Sequence, residues 1–192
     1  MSYLSNRTSK VGAIGLVGGL CAVAEPALAA DELNTGDTAW MLTSSLLVLM
    51  MTIPGIALFY GGMVRKKNVL ATLMQSFAVC CMATIIWMII GYSLAFSGDG
   101  PFVGDLGQLF LKGMGVGSMS GTIPESVFMM FQMTFAIITP ALITGAVAER
   151  IKFSSLMVFL GLWQIIVYAP VCHWVWGSGG FLGSAGAVSY TH

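Results

Sequence analysis

The stretch VFMMFQMTFAIITP, from Val127 to Pro140, carries no charge, yet it holds an amide, Gln132, among phenylalanines. Phe128, Phe131 and Phe135 fall at i, i+3 and i+7, so on a helix they share one face. Rings at this spacing pack a core, meet lipid or line a binding face, and spacing alone leaves these open. Cys172 and His173 are adjacent, but a metal centre needs further ligands at set spacing, and the sequence offers none. Glu149 and Arg150 close an apolar segment, where a charge pair usually ties helix ends or loops together. A nucleophile beside its base, a phosphate-binding glycine loop and paired carboxylates are all missing, so neither an enzyme nor a cofactor is expected.

The elements that must position these residues follow from composition. Hydrophobic residues make up 57% of the chain and charged residues 8%, with a mean hydropathy of +0.88, far from the range of a soluble domain. Eight Lys and Arg balance eight Asp and Glu, so no basic surface exists to neutralise phosphates, and a nucleic-acid partner is excluded. Residues 1–30 have the pattern of a secretory leader: Arg7 and Lys10, an apolar run from Val11 to Ala24, and Ala27-Leu28-Ala29 as cleavage pattern. The mature chain, 31–192, is expected to begin near Ala30 or Asp31.

Four long uncharged segments follow, approximately Thr38 to Gly62, Asn68 to Ser97, Ser126 to Ala148 and Phe153 to Trp176. Each is long enough to cross about 30 Å of hydrocarbon as a helix and too long for strands. With every backbone group needing a partner inside lipid, the expected fold class is all-α, a polytopic transmembrane helical bundle. Arg65, Lys66 and Lys67 lie between the first pair of segments and Arg150 and Lys152 between the second, which puts both loops in the cytoplasm. Asp31, Glu32, Asp37, Asp99, Asp105 and Glu125, against Lys112 alone, occupy the opposite side. The expected location is the inner cell membrane, multi-pass, with the N-terminus outside after leader cleavage. Gly55, Gly61, Gly62, Gly91, Gly145 and Gly161 permit close helix contact, while Pro54 and Pro140 interrupt hydrogen-bond ladders. Gln75, Gln132 and Gln164 should face neighbouring helices or a solvated cavity rather than lipid.

Specific text surrounds the phenylalanine stripe: IPGIALFYGGMVRKKNVL (Ile53 to Leu70), GYSLAF (Gly91 to Phe96), FQMTFA (Phe131 to Ala136), GAVAERIKF (Gly145 to Phe153) and CHWVWGSGG (Cys172 to Gly180). In order and spacing, across nearly the whole mature chain, these closely resemble the ammonium transporters. The resemblance implies an eleven-helix subunit built as an inverted repeat, of which this chain would hold the first half, about four to five helices. It also implies a homotrimer in the lipid bilayer, ammonium or ammonia as the transported substrate, and a cytoplasmic PII-type regulator as partner. Trp176 would stand at the outer vestibule where the cation gathers. Phe135, with Phe131 nearby, would form the gate below it.

The physics agrees with such an arrangement. An aromatic face attracts a cation through the ring quadrupole, with about 0.5–1 kcal/mol when exposed and about 2 when desolvated. Ammonium donates hydrogen bonds that alkali ions lack. A bare cation entering a narrow apolar passage meets a large Born penalty that neutral ammonia escapes, so conduction beneath the rings favours the deprotonated molecule. The paired pore histidines of the family have no identifiable counterpart here. Likeness stops after Gly186-Ala187-Val188, and Ser189-Tyr190-Thr191-His192 is expected to be a truncated reading frame or a cloning remnant, with His192 no pore ligand.

His173 is read as a polar residue at the membrane interface with Trp174 as a belt aromatic. Gln132 is expected to hydrogen-bond within the bundle and hold the stripe's rotation. The chain by itself is expected to be inactive. The reading from another class is a membrane ammonium sensor, whose first half would look similar; a related Rhesus-type channel is disfavoured by Trp176.

Overall fold

A computed structural model describes residues 32–186. Residues 1–30, expected to be a leader, and Ser189–His192 lie outside the described residues. Among the described residues, four helices are long and apolar enough to cross a membrane: α1 (Thr35–Met63), α2 (Lys66–Phe96), α3 (Glu125–Ala146) and α4 (Phe153–Ser184). The helix α4 runs unbroken to Trp176, yields at Gly177, and resumes as a single turn, Phe181–Ser184. All four expected segments are present, with ends displaced by three residues or fewer up to Trp176. The largest displacement, at the start of α1, has a local cause. Asn34 caps the helix, its side-chain oxygen accepting from the N–H groups of Gly36 at 2.9 Å and Asp37 at 3.1 Å, which satisfies two donors that have no intrahelical partner.

Three helices widen locally into π turns, at Met51–Ile56, Trp87–Gly91 and Gln164–Tyr168. The first contains Pro54, which lacks an N–H and collides with the carbonyl one turn back, so the ladder must open there. The other two bring Trp87 of α2 and Tyr168 of α4 together, with ring centroids 6.2 Å apart. The segment between α2 and α3 holds a two-stranded antiparallel hairpin, Met119–Ser120 with Ile123–Pro124. Gly121, at φ +59, makes its turn, a conformation that suits a residue without Cβ.

The helix α3 packs against both α1 and α2, and two apolar clusters fill the bundle. One gathers Trp87, Tyr92, Ala95, Ala136, Tyr168 and Cys172 toward the Trp176 end. The other gathers Ile56, Val79, Ala141, Leu156 and Leu160 toward the Arg65 end, where Tyr60 donates to the Leu142 carbonyl at 2.9 Å. The Tyr60 ring lies so close over Gly145 that a Cβ there would overlap it, the close helix approach that small residues allow in a membrane.

Several buried hydroxyls are satisfied within their own helices: Ser45 donates to Met41, Thr72 to Asn68 and Thr144 to Ala141. Gln164 is fully buried and donates across the bundle to the Ala83 carbonyl at 3.1 Å, as expected of an amide kept from lipid. Outward faces carry large apolar side chains such as Trp40, Leu46, Met63 and Leu70, which suits hydrocarbon surroundings.

Candidate functional site

The ring stripe divides in two. Phe131 and Phe135 form an edge-to-face pair, centroids 5.1 Å apart and planes at 76°, both half-buried. Phe128 turns instead to Phe96 of α2, at 5.1 Å and 79°, and joins the aromatic cluster around Trp87. The carbonyls beneath the pair are already engaged: Thr134 donates to that of Phe131 at 2.6 Å and Thr139 to that of Phe135 at 2.7 Å. Gln132 stays half-buried and makes no side-chain hydrogen bond among the described residues, so the bond expected to hold the stripe's rotation is not formed. The amide bond across the bundle is made instead by Gln164, which donates to the Ala83 carbonyl.

Trp176 ends the long part of α4 and leaves 43% of its surface exposed. Its indole lines an apolar cavity of about 420 Å³ with Thr139 of α3 and with Trp163, Val167, Tyr168, Val171, Cys172 and Val175 of α4. Thr139 is the residue whose hydroxyl engages the Phe135 carbonyl, so the cavity begins one helical turn past the phenylalanine pair. Trp176 and the turn that follows Phe135 therefore line one cavity. Phe131 and Phe135 do not line this cavity themselves.

The segment after Trp176 is fastened to the loop that follows α2. The Trp174 indole N–H donates to the Phe102 carbonyl at 2.6 Å, the Phe181 N–H to that of Pro101 at 3.3 Å, and the Ser178 hydroxyl to the Asp99 carboxylate. Phe181 stacks between Phe102 and Trp174, at 5.5 and 5.4 Å. His173 is fully buried, with each ring nitrogen against a carbonyl oxygen. His173 is not the interface polar group expected of it, because the loop folds over this end of α4 and supplies acceptors for its ring, whereas Trp174 keeps part of its surface open. A sequence signal was available in Gly177 and Gly180, four and seven residues after His173, which follow the helix end where a Cβ would meet the His173 ring or its carbonyl. The same loop is braced within itself: the Ser97 hydroxyl and the Gly107 N–H hold the Asp105 carboxyl below the ordinary carboxylate range. Glu125, opening α3, accepts from Tyr92 at 3.1 Å and Gln108 at 3.2 Å.

At the opposite end, Glu149 ties two loops as expected, but to the α1–α2 turn rather than to Arg150. It accepts from the Asn68 amide at 2.7 Å and the Arg65 N–H at 3.0 Å, and the Arg65 guanidinium stands 3.7 Å away. These donors hold its carboxyl below the ordinary range, Asn68 foremost. Glu149 has a positive φ of 61°, a conformation a carboxylate residue keeps when its bonds over-determine it.

Comparison with known proteins decides the family, since residues 39–191 match the model of the Ammonium Transporter Family. The chain belongs to that family. This match runs through Ser189–Thr191, past the last of the motifs quoted above. An ammonium transporter of Bacillus subtilis is 51% identical over 160 residues, which are 82% of this chain and 39% of that protein. A putative ammonium transporter of Methanothermobacter thermautotrophicus is 51% identical over 157 residues, 80% of this chain and 38% of that one. Among solved structures, Mep2 of Saccharomyces cerevisiae matches with a TM-score of 0.74 at 34% identity, over 83% of this chain and 36% of that one. Mep2 of Candida albicans matches at 0.73 and 37%, over 81% and 34%. A structure described as a Sensor Amt Protein shares the fold, with a TM-score of 0.68 at 22% identity. The chain thus spans well under half the length of these ammonium transporters.

Proposed function

We propose that this chain is the first part of a transporter that carries ammonium or ammonia across a cell membrane. Trp176 is the recruiting face, Phe135 the gate and Phe131 its companion ring. The observation that carries the reading is the half-exposed Trp176 indole over an apolar cavity that begins one turn past the Phe131–Phe135 pair. An indole is the strongest aromatic face for a cation, and a cavity walled by valine and ring carbon discourages the charge from going deeper. A hydrated cation thus gathers at the ring and the neutral molecule passes below.

The basic Arg65 to Lys67 turn and Arg150 to Lys152 turn face the cytoplasm in this reading, so Trp176 looks outward, and residues 1–30 form a cleaved leader. Outward apolar residues on α1, such as Trp40 and Leu46, are available to lipid or to neighbouring subunits of a trimer. The cytoplasmic loops tied by Glu149 are the surface a PII-type regulator would meet.

The test is uptake of labelled methylammonium by cells lacking their own ammonium transporters and expressing a full-length protein that carries this segment. Saturable uptake, displaced by ammonium and unaffected by potassium in large excess, is expected. Equal displacement by potassium, or no uptake above background with the protein in the membrane, contradicts the proposal.

A further inference from the structure

His173 and Trp176 are three residues apart at the end of α4, yet their surroundings are opposite. His173 has no exposed surface, and its Nδ1 lies 2.9 Å from the Ala95 carbonyl oxygen and its Nε2 2.6 Å from that of Gly100. Ala95 belongs to the last turn of α2, and Gly100 to the loop beyond it. Both oxygens are acceptors only, so the ring meets them as a donor through its N–H. The ring therefore pins the end of α4 to two successive points on another element.

The glycines around it fit this contact closely. A Cβ on Gly177 would overlap the His173 ring and the Ala95 carbonyl, and one on Gly180 would overlap the carbonyls of His173 and Trp174. Gly179 takes φ +75 beside the Asp99 carbonyl, where a side chain would be strained as well as crowded. Together with the Trp174, Ser178 and Phe181 bonds to the same loop, these contacts fix both flanks of Trp176. The Trp176 indole itself makes no hydrogen bond among the described residues and stays half-exposed. A slip of one residue at this helix end would swing it by about 100° and away from the cavity.

We propose that His173 is a positioning residue for ammonium recruitment: by clamping the end of α4 to the carbonyls of Ala95 and Gly100, it aims the Trp176 ring over the cavity. This rests on the reading of Trp176 as the recruiting face. A residue that only stabilised the bundle would lower the amount of protein or its maximal rate, whereas one that aims the ring changes the concentration at which the transporter fills.

The experiment measures uptake against ammonium concentration, per membrane-inserted protein, in a full-length transporter carrying this segment, for His173→Phe, His173→Gln, Trp176→Leu and the His173→Phe/Trp176→Leu double variant. His173→Phe, which removes both contacts, raises the half-saturating concentration by about two- to fivefold, the value of an exposed cation–π contact, at little changed maximal rate. His173→Gln keeps one donor and gives a smaller rise. The double variant is no worse than Trp176→Leu alone, because both act through one ring. A fallen maximal rate at unchanged half-saturation, or a double variant whose rise is the product of the two single ones, overturns the proposal. Should His173→Phe fail to reach the membrane, His173→Gln decides by the same half-saturation readout, and an unchanged value overturns it. If Trp176→Leu raises half-saturation and no His173 variant does, positioning alone is wrong. If Trp176→Leu leaves it unchanged, the recruiting role falls and this inference with it.

Discussion

Trp176→Leu, in a full-length transporter carrying this segment, is expected to raise the ammonium concentration for half-maximal uptake by about two- to fivefold, leaving the maximal rate nearly unchanged. The size follows from exposure. With 43% of its surface open, the indole attracts a cation that is still largely hydrated, a regime worth about 0.5–1 kcal/mol, and each 1.4 kcal/mol is tenfold. The form follows from where the ring stands. It meets the ion before the cavity, so losing it reduces occupancy at low ammonium, and high ammonium restores filling by mass action. Leucine keeps the apolar wall beside Val171 and Val175, which confines the change to the lost quadrupole. Rates measured across a wide concentration range check this, and equal loss at low and high ammonium would argue against recruitment.

Trp87→Ala should have the largest effect on stability, about 3 kcal/mol, the lower end of the range for emptying a buried aromatic site. Trp87 has no exposed surface, donates its indole N–H to the Met129 carbonyl at 3.3 Å, and meets Tyr92, Phe96 and Tyr168 edge-on at 6.0 to 6.2 Å. It therefore joins α2 to both α3 and α4, the two helices that carry the rings of the site. Lipid is as apolar as this cluster, so the expected loss comes from the cavity and the missing dispersion contacts rather than from transfer out of water. Thermal unfolding of the purified full-length protein in detergent measures it, with Trp87→Phe, which keeps a ring, losing clearly less. A cost below about 1 kcal/mol would mean that the site refills by collapse and that this cluster does not hold the helices in place.

The four spans were legible because an uncharged run of more than twenty residues has few alternatives in this composition, and the basic turns at Arg65 and Arg150 separate them cleanly. The departures come from contacts between residues far apart in the chain. Glu149 meets Arg65 and Asn68, more than eighty residues away, whereas the sequence offered Arg150 beside it. Phe128 leaves the stripe because Phe96 of α2 is there to receive it. His173 looks like an interface residue until the loop after α2 is laid over it. Gln132 and Gln164 are alike in one-dimensional context, and only the second reaches a carbonyl of another helix. Trp176 and the Phe131–Phe135 pair were singled out by resemblance. The cavity joining Trp176 to the turn below Phe135 is a property of the packed helices α3 and α4.

The most direct measurement is a crystal structure of a full-length transporter carrying this segment, grown with methylammonium as the cation. The account predicts a cation over the Trp176 face, within about 6 Å of the ring centroid, and absent from crystals of Trp176→Leu grown in the same way. A cation that settles elsewhere in the vestibule, or that stays in place without the indole, would contradict it.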